Sequence, residues 1–129
     1  MSEIRVTTVS DTAGTGPVTL TKQSASKAWI NFNGSGTVAT RDSFNFSTLT
    51  DNGTGDYTVA HTNSMANDDF VILANVGTSS TNDSPYQAKP HHDGWSVSST
   101  RVNTIYANES TSDYFNPLYV LLTLQGDLA

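Results

Sequence analysis

Hydrophobic and polar positions alternate most cleanly between Ala28 and Thr62, AWINFNGSGTVATRDSFNFSTLTDNGTGDYTVAHT. Ala28, Ile30 and Phe32 face one way and Trp29, Asn31 and Asn33 the other, the period-2 signature of a half-buried strand. Asn33-Gly34-Ser35-Gly36 then reverses the chain, because glycine enters positive φ without a Cβ clash. A second run keeps Val38, Phe44 and Phe46 in phase, but the polar Arg41-Asp42-Ser43 between them predicts an irregularity or a bulge. After the turn chemistry of Asp51-Asn52-Gly53-Thr54-Gly55-Asp56, Tyr57, Val59 and His61 alternate with Thr58, Ala60 and Thr62 as a third strand. The stretch reads as a three-stranded meander.

Past a polar connection at Asn63 to Asp69, Phe70-Val71-Ile72-Leu73-Ala74-Asn75-Val76 is nearly continuous in apolar residues, which predicts a strand covered on both faces. Gly77 to Gly94, GTSSTNDSPYQAKPHHDG, has two prolines and few aliphatics and reads as a long loop. Alternation resumes at Trp95 and Val97 and continues with Val102, Thr104 and Tyr106 opposite Arg101, Asn103 and Ile105. A second polar connection, Asn108 to Asn116, ends at Pro117, which suits a strand start. In the last run Leu118, Val120, Leu122 and Leu124 fill a core, while Tyr119 and Leu121 put apolar surface on the opposite face. At about 25 cal/mol per Å² of apolar area, leaving both in water forgoes roughly a few kcal/mol, so a second sheet, the N-terminal segment or a neighbouring subunit should cover them.

No helical period persists beyond a turn, and roughly seven or eight short strands between Gly, Asn and Asp turns predict an all-β fold, an antiparallel β-sandwich or jelly roll. The sandwich is expected over residues 27–129. Residues 1–26 read as an extended N-terminal arm, with strand candidates at Ile4, Val6 and Val9 and at Val18 and Leu20 split by Asp11 to Pro17. Such an arm cannot offset its ordering entropy alone and is either disordered or docked on another subunit. The anchors Ile4, Val6, Val18 and Leu20 favour docking, most simply by strand addition.

Composition narrows the function classes. With 36% hydrophobic and 14% charged residues, the chain is dominated by Thr, Ser, Asn and Gly, as extracellular and virion β-proteins are. A net charge of −6 opposes any role in wrapping nucleic acid, which needs a basic face. Cysteine is absent, so no disulfide framework or thiolate metal site is available. Met-Ser-Glu-Ile-Arg opens the chain with no apolar h-region, and no run has the length of a membrane helix. The expectation is synthesis in a host cytoplasm without an export signal and no membrane partner.

Candidate chemistry is sparse. Neighbours in His91-His92-Asp93 point to opposite faces of a strand, so the group reads as a solvated loop rather than a metal site. His61, on a strand, reads as packed or hydrogen-bonded. Asp51 and Asp56 belong to a turn that lacks the ligand spacing of a calcium loop, and no G-x-S-x-G elbow supports a nucleophilic serine. No catalytic residue, metal or cofactor is assigned. Exposed aromatics are the better lead: Trp29, Tyr86, Trp95, Tyr114 and Phe115 sit near turns or on the polar face, suited to subunit burial or to stacking on sugar rings. The expected interface residues are Ile4, Val6, Val18, Leu20, Trp29, Tyr119 and Leu121. Tyr86, His91, His92, Trp95, Tyr114 and Phe115 are the expected receptor-reading surface, all but Trp95 on loops spanning 78–93 and 108–116.

Three segments carry a resemblance. Lys27 to Gly34 gives a K-A-W-hydrophobic-N-F-N-G opening, Arg41 to Ser47 an R-D-S-hydrophobic-N-hydrophobic-S strand, and Asp51 to Val59 a D-N-G-T-G-D-Y-T-V turn and strand. Together they resemble a module of virion proteins of marine tailed bacteriophages, tail-fibre and other tail-associated structural proteins among them; Ile4-Arg5-Val6 and Ser10 to Pro17 resemble the leader before that module. The resemblance covers the first half of the chain and implies a non-enzymatic virion protein, trimeric like fibre-type proteins. Its arm would attach it to tail or major capsid protein, as a tail-fibre tip, an adaptor or a capsid decoration protein. A carbohydrate-binding module for host surface glycans is the alternative.

Overall fold

The computed structural model describes residues 25–78, 86–107 and 112–129. Within them the strands are β1 Ala28–Asn33, β2 Ala39–Phe44, β3 Phe46–Gly53, β4 Asp56–His61, β5 Val71–Gly77, β6 Tyr86–Ser96, β7 Ser99–Ala107, β8 Ser112–Tyr114 and β9 Tyr119–Gln125. One sheet has the order β2-β1-β9-β5 and the other β3-β4-β7-β6, with β8 pairing the far end of β7. Every pairing is antiparallel. The fold is thus the all-β sandwich that the alternation predicted. Ile4, Val6, Val18 and Leu20 of the expected arm lie outside the described residues. The described chain enters beside β9, where the Lys27 amide donates to the Leu124 carbonyl at 2.9 Å.

The period-2 strands bury the residues their pattern named. Ala28, Ile30 and Phe32 of β1, Tyr57, Val59 and His61 of β4, and Val120, Leu122 and Leu124 of β9 are all buried between the sheets. Ile30, Phe32, Tyr57, Val59, Val102, Val120 and Leu122 form the main cluster. Ala28, Met65, Phe70 and Leu124 form a second, which Phe46 and Ile72 join to the first. Phe32 meets Tyr57 edge to face at 5.1 Å, an arrangement that suits the ring quadrupoles.

Three expectations are corrected. The second run of the supposed meander is two strands in different sheets: Asn45 takes φ 60°, so β2 stays beside β1 while β3 crosses to pair β4. The irregularity predicted at Arg41-Asp42-Ser43 is a bulge that leaves Arg41 without an opposite residue on β1. Second, the supposed long loop is strand from Tyr86 onward, β6, which pairs β7 from Tyr86 to Pro90 and again at Trp95 and Ser96. Pro90 is tolerated because β6 is an edge strand, and His91 to Gly94 form a wide bulge against a single β7 residue. Part of the second loop is likewise strand β8. Third, β5 is covered on one face only: Val71 and Leu73 are more than half exposed, because β5 is also an edge and nothing described lies over its outer side.

Candidate functional site

The register of the four-stranded sheet sorts its outward side chains. Phe44 lies opposite Trp29, Trp29 opposite Thr123 and Thr123 opposite Leu73; in the next rows Asn31 faces Leu121, Leu121 faces Asn75, and Tyr119 faces Gly77. Phe44, Val71, Leu73, Tyr119 and Leu121 are between 38% and 56% exposed, and Trp29 is half-buried among them. An open trough of about 330 Å³ runs between β5 and β9 over Leu73, Asn75, Leu121 and Thr123. Sequence reasoning named Trp29, Tyr119 and Leu121, and the fold brings these three onto one face. It missed Phe44, which it only places in phase with Val38 and Phe46, and Val71 and Leu73, which it places on a strand covered on both faces. For Val71 and Leu73 the signal was β5 itself, apolar on both faces yet placed at an edge.

The face is nearly free of formal charge. On β1, β9 and β5 the outward residues are Trp29, Asn31, Asn33, Tyr119, Leu121, Thr123, Gln125, Val71, Leu73, Asn75 and Gly77, none of them Asp, Glu, Lys or Arg. β2 adds Asp42 and Arg41, whose charges cancel. The Arg41 guanidinium lies 4.5 Å over the Tyr119 ring and donates to the Leu118 carbonyl at 3.1 Å, which fixes that ring by cation–π attraction.

The opposite side of the sandwich has a different chemistry. Asp56 on β4 and Arg101 on β7 face outward in adjacent strands, and Arg101 grips both carboxylate oxygens, through Nε at 2.7 Å and through Nη2. That grip holds the Asp56 carboxyl below the ordinary carboxylate value, burial opposing it. The Asn52 amide reaches Thr58 Oγ1 at 2.8 Å and Asp56 Oδ1 at 3.4 Å. Around the pair lies a depression of about 250 Å³ that Gly53, Asn103, His91 and Tyr114 complete. Two expected surface residues, His91 and Tyr114, therefore share one site, though neither is on a loop.

The other expected surface residues part company. Tyr86 and Phe115 are half-buried and pack ring against ring at 4.6 Å, with Tyr106 5.4 Å beyond Tyr86. They line a separate hollow beside Pro117 and Leu118 at one end of the sandwich. Trp95 is 39% exposed but lies past the β6 bulge, outside both hollows. The His92 side chain is outside the described atoms.

His61 is structural, as its strand position suggested. Its Nδ1 lies 3.0 Å from the Val97 carbonyl, which can only accept, so the proton sits on Nδ1 and Nε2 accepts from Thr100 Oγ1 at 3.0 Å. Burial holds its pKa below 6.5, the Val97 bond opposing that shift. Among the described residues no group of three or more His, Cys, Asp or Glu is placed to hold a metal ion.

No protein-family model matches the chain, and no curated protein or solved structure matches it significantly.

Proposed function

We propose that the protein is a non-enzymatic building block of a particle, a β-sandwich that binds further copies of itself through the outward face of β2-β1-β9-β5. The observation that carries this reading is the apolar, nearly uncharged face itself. Each of its half-exposed side chains stands to gain about 1 kcal/mol when covered. A chain of net charge −6 resists approach by its own copies except where charge is missing, and this face is such a place. The resemblance to modules of phage virion proteins supports the same reading and favours three copies, with tail or capsid protein as the further partner and the virion as the location.

Sedimentation equilibrium of the full chain tests it. The expected result is a concentration-dependent oligomer that the double substitution L73D and L121D converts to a folded monomer. A wild-type chain that stays monomeric at the highest soluble concentration overturns the reading.

A further inference from the structure

The depression on β3, β4, β6, β7 and β8 has no part in that assembly, since it lies on the other sheet and opens away from the apolar face. Its chemistry is specific. The carboxylate of Asp56 is locked by the Nε and Nη2 of Arg101, which leaves the Nη1 hydrogens of the guanidinium, and lone pairs on the carboxylate, for a further partner. Asn103, 3% exposed, forms the floor, and the Asn52 amide stands at the rim, its N–H groups donating to Thr58 and Asp56 and its oxygen left to accept. Tyr114 forms one wall and is 54% exposed, an aromatic surface left open beside a polar floor.

These parts are held in place before any ligand arrives. A Cβ on Gly94 would stand 2.6 Å from the Arg101 Cβ and 3.0 Å from the His91 Cβ, so the β6 bulge packs directly onto the stem of Arg101. Asp56 and Arg101 sit on paired central strands, where neither side chain has to be ordered at the moment of binding.

We infer that this depression binds one ring of a neutral saccharide, stacked on Tyr114 with its hydroxyls on Asp56, Arg101 and Asn52. A pyranose offers vicinal hydroxyls, each both donor and acceptor, on one edge and a patch of C–H bonds on a face; a fixed acceptor–donor pair beside an aromatic ring is complementary to both. The formal charges of Asp56 and Arg101 cancel, which gives no advantage to an anionic or cationic ligand. About 250 Å³ is small for a ligand pocket and admits a single ring rather than a chain buried end to end.

Amide NMR spectra of the full chain, titrated separately with glucose, galactose, mannose and N-acetylglucosamine to high millimolar concentration, test the site. The expected result is saturable shifts with at least one of them, confined to residues around Asn52, Asp56, Arg101 and Tyr114. Y114A should weaken that binding about tenfold while its other resonances stay in place, since the side chain is mostly in solvent. The proposal is overturned if none of the sugars gives saturable shifts there, if Y114A binds as well as wild type, or if glucuronic acid or glucosamine binds more tightly than every neutral sugar. Loss of sugar binding and loss of self-association are separable, because L73D with L121D acts on the opposite sheet and should leave the titration unchanged.

Discussion

Tyr57 shows how one polar atom joins three parts of the chain. Its ring is buried in the core, and its hydroxyl, 2.9 Å from both the Gly34 carbonyl and Asn116 Oδ1, shares one proton between the β1–β2 turn and the approach to β9. Burial pushes its pKa up to about 12. Removing that hydroxyl strands the buried Gly34 carbonyl, while Asn116 Oδ1 keeps the Gly55 amide at 2.7 Å, so Tyr57→Phe should cost about 1–2 kcal/mol, read as a lower urea midpoint at unchanged slope. His61 acts through protonation instead. Its folded pKa lies below the 6.5 at which the unfolded chain takes up a proton, so the unfolded state binds more protons in that range. The associated stability is complete above about pH 6.5 and declines as pH falls below it. The melting temperature should therefore drop between about pH 7 and about pH 5, and the His61→Gln variant should show a shallower drop. Parallel profiles would remove His61 as the source. Asp56 carries the usual carboxylate sign, its contribution lost only as pH falls below about 4, so the two groups separate on the pH axis.

At the scale of elements, legibility followed burial. β1, β4 and β9 bury one face and expose or half-expose the other, so their alternation could be read directly from the sequence. β2 is exposed along nearly its whole length and leaves no period to read. β6 was hidden by Pro90 and by the His91 to Gly94 bulge, which look like loop chemistry until β7 is seen to pair on either side. The crossing between the sheets was hidden by context, because Asn45 takes a left-handed conformation between Phe44 and Phe46, inside what reads as one strand run with no glycine or proline to mark a turn. Its side chain explains the choice: Nδ2 donates to the carbonyls of Lys27 and Asn63, both at 3.1 Å, and Oδ1 accepts from the Asn63 amide at 2.7 Å. Asn45→Ala loses these bonds while keeping a Cβ at the positive φ that they helped Asn to tolerate, for a cost of about 2–3 kcal/mol. Asn45→Gly loses the same bonds without the backbone penalty and should recover about 1 kcal/mol of that, so chemical denaturation of the pair divides the corner into its two causes.

For the whole molecule, the two outward faces differ in chemistry, one apolar and nearly uncharged and the other carrying the Asp56–Arg101 pair. The surplus of apolar residues was visible in β5 and β9, but the two strands' adjacency, and hence the continuous patch of Leu73 and Leu121, depends on β9 inserting between β1 and β5, which no local pattern encodes. The polar site was legible only as isolated letters, since Asp56 and Arg101 are 45 residues apart and meet through the β4–β7 pairing. This division makes the salt dependence of assembly diagnostic. If copies meet through the uncharged face, the main electrostatic term is repulsion between chains of net charge −6, which added salt screens; the screening length is about 10 Å at about 0.1 M. Self-association should therefore tighten as sodium chloride rises from about 0.05 M to about 0.5 M, whereas contacts resting on Asp56, Arg101 or other ion pairs would loosen over the same range. Sedimentation equilibrium across that series separates the two, and a dissociation constant that rises with salt would move the interface off the four-stranded sheet.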